Sequence, residues 1–121
     1  MIREEREQLT WKGRCQLKDN KLPPKITEKL FQGRVEQSLQ IAGWRVYHTW
    51  NSMRSAKGFP DIVAIHPKRK KPLVVEIKTE TGKLTPEQEE WLALFSACDV
   101  DTWLLRPSMF DEFWEHVRAK N

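Results

Sequence analysis

Apolar residues recur with helical spacing in three segments of the chain. In the first segment, Phe31, Val35 and Leu39 follow one another at intervals of four residues, which predicts an amphipathic helix with one buried stripe. Thr27 has a side chain that favours the start of such a helix, and Gly43 is suited to end it. We therefore expect a first helix between these two residues.

Two later segments show the same kind of pattern. Thr85-Pro86-Glu87-Gln88 has the form of a capping box and predicts the start of a second helix. The apolar stripe of this helix is expected at Trp91, Leu94, Phe95 and Cys98. Pro107-Ser108 is expected to stop a strand and to cap a third helix. The buried stripe of that helix is expected at Phe110, Phe113, Trp114 and Val117.

Short apolar runs between the helices predict four strands, at residues 44–49, 61–66, 73–79 and 102–106. The short turn at residues 67–72 favours antiparallel pairing of the second and third strands. A helix joins the third strand to the fourth, which favours parallel pairing and a right-handed crossover. The expected fold class is α/β, in the order α-β-β-β-α-β, with a mixed sheet flanked by helices and an extra C-terminal helix.

The first 25 residues show little periodicity apart from a short helical pattern near residues 2–10. They carry seven Lys or Arg against four Asp or Glu, and they end in Leu22-Pro23-Pro24-Lys25. We therefore divide the chain into a basic N-terminal arm at residues 1–26 and one domain at residues 27–121. The arm is open to two interpretations, a partly ordered tail or a segment that contacts DNA or a partner subunit.

Composition and charge narrow the class of protein only slightly. The 121 residues suit a single domain, and a net charge of +4 suits a polyanionic partner such as nucleic acid. Cys98 falls on the apolar face of a predicted helix and Cys15 in the polar arm, which indicates reduced, intracellular cysteines rather than a disulfide. Neither has a Cys or His neighbour at metal-site spacing. The N-terminus lacks the apolar core of a secretory signal, and the longest apolar stretch, WLALFSAC, is too short to cross a bilayer. We expect a cytoplasmic protein without a membrane partner.

Three ionisable residues lie where the second and third strands would bring them together. Asp61 opens the second strand, and Glu76 and Lys78 lie near the end of the third strand, on one face. A solvated E-x-K pair is common on an exposed strand, but here the two charges interrupt an apolar strand that should be central. Two carboxylates can hold Mg²⁺, and a lysine can orient a water molecule or stabilise developing charge. This combination meets the needs of phosphodiester hydrolysis.

The run Gly58-Phe59-Pro60-Asp61, followed after a hairpin by Glu76-Ile77-Lys78, resembles the PD-(D/E)xK nuclease superfamily. The chain is more closely similar to the VRR-NUC (virus-type replication-repair nuclease) family. Further segments match that family in the right order: Glu36, residues 43–49, residues 55–58, residues 84–88 and Trp91-Leu92. The resemblance covers about residues 27–117.

The resemblance implies a restriction-endonuclease-like core and a small stand-alone, phage-type nuclease that depends on Mg²⁺ or Mn²⁺. It implies that Asp61, Glu76 and the backbone carbonyl of Ile77 hold the metal ion and that Lys78 is the catalytic lysine. Small stand-alone members of the family are similar to phage proteins that act on branched DNA, such as a Holliday junction, as homodimers. Branched or duplex DNA and a second copy of the chain are therefore the expected partners.

The resemblance also implies accessory roles for two polar residues. Glu36 is an accessory acid and a further candidate metal ligand, although it also fits an ordinary acid on a helix surface. Gln88 is an accessory polar residue of the active site, but it already serves as the third residue of the capping box. The two roles of Gln88 are compatible.

The loop before Asp61 supplies candidate donors to the phosphates that flank the cut. These DNA-binding candidates are Asn51, Ser52, Arg54, Ser55 and Lys57. Gly58 would allow the backbone to approach DNA closely. The basic turn at residues 68–71 lies at the other end of the hairpin, roughly 16 Å from Asp61, and is interpreted as a solvated turn.

The aromatic and histidine residues near the sheet have open or structural interpretations. His48 is interpreted as packed or hydrogen-bonded, and His66 and His116 as surface residues. Trp50 fits either a base-stacking residue or a core residue.

Two other hypotheses compete with the nuclease. One is a non-catalytic nucleic-acid-binding module on the same fold, and the other is an interaction protein whose acids are merely paired with lysines. Retention of both acids and the lysine counts against the first of these. Metal-dependent cleavage separates the nuclease from both.

Overall fold

The structure is a computed structural model that describes residues 25–50 and 55–119. Three α-helices and four strands follow one another along this part of the chain. They are α1 (Glu28–Ile41), β1 (Arg45–His48), β2 (Ile62–Ile65), β3 (Leu73–Ile77), α2 (Pro86–Ala97), β4 (Asp101–Leu105) and α3 (Phe110–Arg118), with a 3-10 turn at Pro107–Met109. The predicted α/β order is confirmed. Residues 1–24 lie outside the described part, so the division into an arm and a domain stays a prediction.

The four strands form one mixed sheet in the order β1-β2-β3-β4. The β2–β3 pair is antiparallel and the β3–β4 pair is parallel, as predicted, and β1 pairs antiparallel with β2. In the β2–β3 pair, Ile62 lies opposite Val75. The residue before Ile62 is Asp61 and the residue after Val75 is Glu76, so this register sets the two acids side by side.

The main core lies between one face of the sheet and the helices α1 and α3. Thr27 caps α1 by accepting a hydrogen bond from Leu30 N–H at 3.1 Å, and Gly43 follows the helix at φ 98°. The predicted stripes of α1 and α3 are buried, and they pack with Ile62, Val75 and Leu105 of the sheet. Burying a large aliphatic or aromatic side chain contributes about 1.5–3 kcal/mol, so these stripes hold both helices on the sheet.

Two details of the helices differ from the prediction. The capping box of α2 is present, but its apolar stripe is buried only in part, because Leu94 and Cys98 are exposed. Trp91 and Phe95 pack against Phe59 in the loop before β2. This one side chain is too small to cover the whole stripe. Ser108 does not cap α3, because its amide and hydroxyl hydrogen-bond the carboxylate of Glu80.

The basic turn between β2 and β3 is only partly solvated. Lys68, Lys70 and Lys71 are exposed, but Arg69 donates hydrogen bonds to three carbonyl oxygens at the end of α3, at 2.8–3.1 Å. The Arg69 guanidinium also lies over the Trp44 ring, 5.2 Å from its centroid. The carbonyl groups at a helix C-terminus have no partner within the helix, so Arg69 supplies one and ties the turn to α3.

Two histidines interpreted as surface residues make defined contacts. The His66 ring is half-buried against Trp44, with ring centroids 5.3 Å apart, so the surface interpretation is wrong for this residue. His116 is exposed, as predicted, and its Nε2 lies 2.6 Å from Asp101 Oδ2. None of the helices within residues 25–50 and 55–119 combines the length and the hydropathy that a membrane span requires.

Candidate active site

Asp61 and Glu76 meet at the end of the β2–β3 pair. The Asp61 carboxylate accepts a hydrogen bond from Ile77 N–H at 2.8 Å and is also hydrogen-bonded to the Glu76 carboxyl. The Glu76 side chain is only 3% exposed, whereas glutamates in most proteins lie at the surface in their charged form. The convergence of the two acids that the sequence predicts is therefore present.

The surroundings of the two acids favour one shared proton. Burial raises the pKa of Glu76 from its ordinary value of 4.5 to about 8, and the neighbouring Asp61 carboxylate adds to this rise. Burial also raises the pKa of Asp61, although the Ile77 N–H, the Glu76 hydrogen bond and the Lys78 charge oppose it. At neutral pH the pair therefore carries less negative charge than two separate carboxylates would.

The donor set at this position fits a divalent cation. Glu76 Oε1 is buried and has no hydrogen-bond partner, a costly arrangement that a cation would relieve. The N–H and C=O of one residue in an extended strand point to the same side, so the Ile77 carbonyl faces the side on which its N–H meets Asp61. Two carboxylates and one carbonyl leave room for water, as Mg²⁺ prefers.

Other side chains add little to this donor set. No cluster of three or more His, Cys, Asp or Glu side chains suited to a metal ion occurs among residues 25–50 and 55–119. The two carboxylates would thus need the backbone carbonyl, water or substrate oxygens to complete the coordination of an ion.

Lys78 follows β3 and is half-buried beside the acids. Its positive charge favours the ionised forms of Asp61 and Glu76. The chain after Lys78 is fixed by Arg106, which donates hydrogen bonds to Thr79 O at 2.6 Å and Glu80 O at 3.1 Å. The backbone that carries Lys78 is therefore held in place by hydrogen bonds from Arg106.

A polar stripe of α1 also faces the site. Glu28, Gln32 and Glu36 recur at intervals of four residues, and Gln32 Nε2 donates to Glu36 Oε2 at 2.9 Å. The charge of Glu36 contributes to the raised pKa of Asp61, and the charge of Glu28 contributes to that of Glu76. Glu36 was predicted from the sequence as a site residue, whereas Glu28 and Gln32 were not, although their spacing with Glu36 is visible there.

A cavity of about 610 Å³ opens beside Asp61, between α1 and the loop before β2. Glu28 and Gln32 line it on the α1 side, and Thr49 and Trp50 line it on the β1 side. Thr49 fixes Asp61 in place, because its N–H donates to Asp61 O at 2.8 Å and its hydroxyl donates to Pro60 O at 2.6 Å. The cavity thus brings Asp61 into contact with solvent and gives a substrate access to it.

The loop that enters β2 is held on α2. Gly58 has φ 83°, and a Cβ there would lie 2.7 Å from the Glu87 carbonyl carbon. The close approach that Gly58 permits within the described residues is therefore to the first turn of α2, and an approach to DNA stays a prediction. Trp91 donates from Nε1 to Lys57 O at 3.1 Å and packs against Phe59, with ring centroids 5.0 Å apart. These contacts position Pro60 and Asp61.

The remaining predicted site residues fall into three groups. Ser55 and Lys57 line the cavity, whereas Asn51, Ser52 and Arg54 lie outside the described residues. Gln88 Oε1 accepts a hydrogen bond from Thr85 N–H at 2.9 Å, so the capping role is confirmed and the catalytic role stays a prediction.

Two aromatic residues of β1 and the following loop are now defined. His48 Nδ1 lies 3.7 Å from Glu36 Oε1, and the His48 and Trp50 rings are 4.5 Å apart between centroids. The prediction that His48 is a packed residue agrees with these contacts. Trp50 is 66% exposed, so it is not a core residue.

Comparison with known families agrees with this geometry. The family model of the VRR-NUC domain matches residues 4–108, a stretch that includes most of the predicted N-terminal arm. No curated protein and no solved structure matches the chain. The mixed sheet with its flanking helices is the restriction-endonuclease-like arrangement expected of this family. Since the match spans most of its length, the chain belongs to the VRR-NUC family of the PD-(D/E)xK nuclease superfamily and has a nuclease-type function.

Proposed function

We propose that this protein is an endonuclease that hydrolyses phosphodiester bonds in DNA and depends on Mg²⁺ or Mn²⁺. The observation that carries the proposal is the buried Glu76 carboxyl, with an unpartnered oxygen, hydrogen-bonded to the Asp61 carboxylate. Such a pair is unfavourable without a cation, and one divalent ion would compensate both acids at once.

Each residue at the sheet end has a role in this chemistry. Asp61, Glu76 and the Ile77 carbonyl would hold the ion, and a bound ion supplies a water of lowered pKa and neutralises charge on the phosphate. Lys78 orients that water or stabilises the negative charge that develops during the reaction. Glu36 acts as an accessory acid and is a further candidate ligand of the ion.

Gln88 and the cavity rim would act on the substrate rather than on the ion. Gln88 uses its amide oxygen in the capping box, which leaves its amide N–H groups as donors. Lys57 has a side chain that is 82% exposed at the cavity, where it can contact a phosphate, and Ser55 lies beside it. Asn51, Ser52 and Arg54 complete the proposed DNA-binding loop on the strength of the sequence.

Branched DNA is the substrate that we favour, with the Holliday junction as one example, and a homodimer is the form that would act on it. Both statements carry over what the resemblance to small VRR-NUC nucleases implies. A junction has two equivalent strands to cut, and a twofold dimer presents two equivalent active sites. The net charge of +4 also suits a substrate on which several phosphate groups converge.

A cleavage panel tests the proposal. The wild-type protein is incubated with branched, flapped, single-stranded and duplex oligonucleotides in Mn²⁺, and the same reactions are run in EDTA. We expect cleavage that requires the metal ion and that Asp61→Ala and Lys78→Ala each abolish. Lys70→Ala is the matched control, because this exposed lysine lies in the turn at the far end of the hairpin.

Two outcomes would overturn the proposal. Cleavage by the Asp61→Ala variant at the wild-type rate would remove the acid pair from the chemistry. Binding of DNA that EDTA does not affect, with no cleavage of any substrate, would instead identify a non-catalytic nucleic-acid-binding module on this fold.

A further inference from the structure

Trp50 stands at the mouth of the cavity that contains Asp61. It follows Thr49, whose backbone N–H and hydroxyl are bonded to Asp61 O and Pro60 O, so its backbone is fixed relative to the acid pair. Its indole is nevertheless 66% exposed and lines the cavity. A single exposed apolar residue is ordinary on a protein surface, so it is the position beside the site that gives this residue its significance.

The Trp50 ring is oriented by its contact with His48. The His48 ring lies against it with a centroid separation of 4.5 Å and an interplanar angle of 58°. His48 is in turn 3.7 Å from the Glu36 carboxylate, and the Trp50 carbonyl accepts a hydrogen bond from Ser55 Oγ at 3.0 Å. The indole thus presents an oriented and solvated surface, which reduces the entropy lost when a flat ligand stacks on it.

The other aromatic residues near this end of the sheet do not combine an exposed ring with a place in the cavity lining. Phe59 also lines the cavity, but it packs edge-on against Trp91 and Phe95 of α2. Tyr47 is 58% exposed, but it is not among the residues that line the cavity. Within the described part of the chain, Trp50 is the exposed aromatic residue of the cavity.

We propose that Trp50 stacks on an unpaired base next to the scissile phosphate and so makes the enzyme favour DNA with an unpaired nucleotide at the cut. The cavity of about 610 Å³ is within the usual range of small-ligand sites, roughly 300–1,000 Å³, and can admit one nucleotide. A base inside a continuous duplex is already stacked on its neighbours, so offering it to Trp50 would cost a few kcal/mol. Single strands, flaps and branch points avoid that cost.

This inference rests on the proposed nuclease function for its cleavage test, so a binding test that needs no cleavage comes first. An oligonucleotide duplex with one unpaired 2-aminopurine is titrated with protein in EDTA, where the proposed chemistry is off. Stacking of the base on an aromatic side chain quenches 2-aminopurine fluorescence. We expect quenching with the wild type and with Trp50→Phe, and its loss with Trp50→Ala. Tyr47→Ala is the control for an exposed aromatic residue outside the cavity and should quench as the wild type does.

The cleavage test compares two substrates of the same sequence in Mn²⁺, one with an unpaired nucleotide and one a continuous duplex. Removal of a base–aromatic stack costs about 5- to 150-fold in binding, so Trp50→Ala should lower the preference for the unpaired substrate by about 10-fold or more, mainly through KM. Trp50→Phe should keep most of the preference.

Several results would overturn the inference. They are an unchanged preference in Trp50→Ala, an equal loss on both substrates, no preference in the wild type, or faster cleavage of RNA of the same shape. If the wild type cuts nothing, the proposed function fails, and the fluorescence result still decides whether Trp50 stacks on a base.

Discussion

The substitution Glu76→Gln should stabilise the protein at high pH in the absence of divalent ions. The folded protein keeps a proton on Glu76 up to a pKa of about 8, whereas the unfolded chain loses it near 4.5. The folded state therefore binds more protons between these two values, and its stability falls as pH rises through that window. A glutamine is neutral at every pH and removes this dependence.

The size of the effect follows from the two pKa values. A change from 4.5 to about 8 corresponds to about 5 kcal/mol, which is the upper limit of the stabilisation expected at pH 9. At pH 4.5, where folded Glu76 is protonated, the variant and the wild type should differ by less than about 1 kcal/mol. In a domain of this size each kcal/mol corresponds to about 3–6 °C in Tm.

Thermal melts between pH 4.5 and pH 9 in EDTA measure the difference directly. Glu90→Gln, which changes an exposed acid of α2, is the matched control and should follow the wild type. A wild-type Tm that does not fall between pH 5 and pH 9, or a Glu76→Gln variant less stable than the wild type at pH 9, would refute the reasoning.

Three further predictions concern the metal ion and the framework. Mg²⁺ binding to the wild type should release up to about one proton at pH 7, seen as a calorimetric enthalpy that varies with the buffer, and Glu76→Gln should show no such release. Gly58→Ala should lower stability by more than about 1 kcal/mol, because the residue has a positive φ and the added Cβ would lie 2.7 Å from the α2 backbone. Gly33→Ala has open space around the added Cβ and should raise stability by about 0.5–1 kcal/mol. Denaturant melts that rank the two variants the other way would contradict this. Arg69→Ala should cost about 1–3 kcal/mol because it removes the hydrogen bonds to three carbonyl oxygens at the end of α3, and Lys70→Ala less than about 0.5 kcal/mol. Equal melting curves for the two variants would show that these hydrogen bonds do not stabilise the fold.

The sequence was sufficient to predict the frame of the active site. The tight turn after β2 determines antiparallel pairing, and pairing in turn determines that Asp61 lies beside Glu76. The helix stripes at Phe31 and Phe113 were predictable for a related reason, since a spacing of three or four residues sets one face of a helix whatever it packs against.

What the sequence did not reveal depends on contacts between distant parts of the chain. The exposure of Leu94 follows from the small surface that opposes α2, and no local pattern measures that surface. Arg69 reaches carbonyl oxygens about fifty residues away, and its neighbours in the turn give no sign of this. The helical spacing of Glu28 and Gln32 with Glu36 is visible in the sequence. That this side of α1 faces the site depends on how the helix packs, which the spacing does not show.

A crystal of the protein soaked with Mn²⁺ offers the most direct test of the central claim, through an anomalous difference map at the manganese absorption edge. We expect one peak between the Asp61 carboxylate and Glu76 Oε1, within coordination distance of the Ile77 carbonyl oxygen. A well-ordered site with no peak at saturating Mn²⁺, and with the two carboxyl groups still hydrogen-bonded to each other, would contradict it.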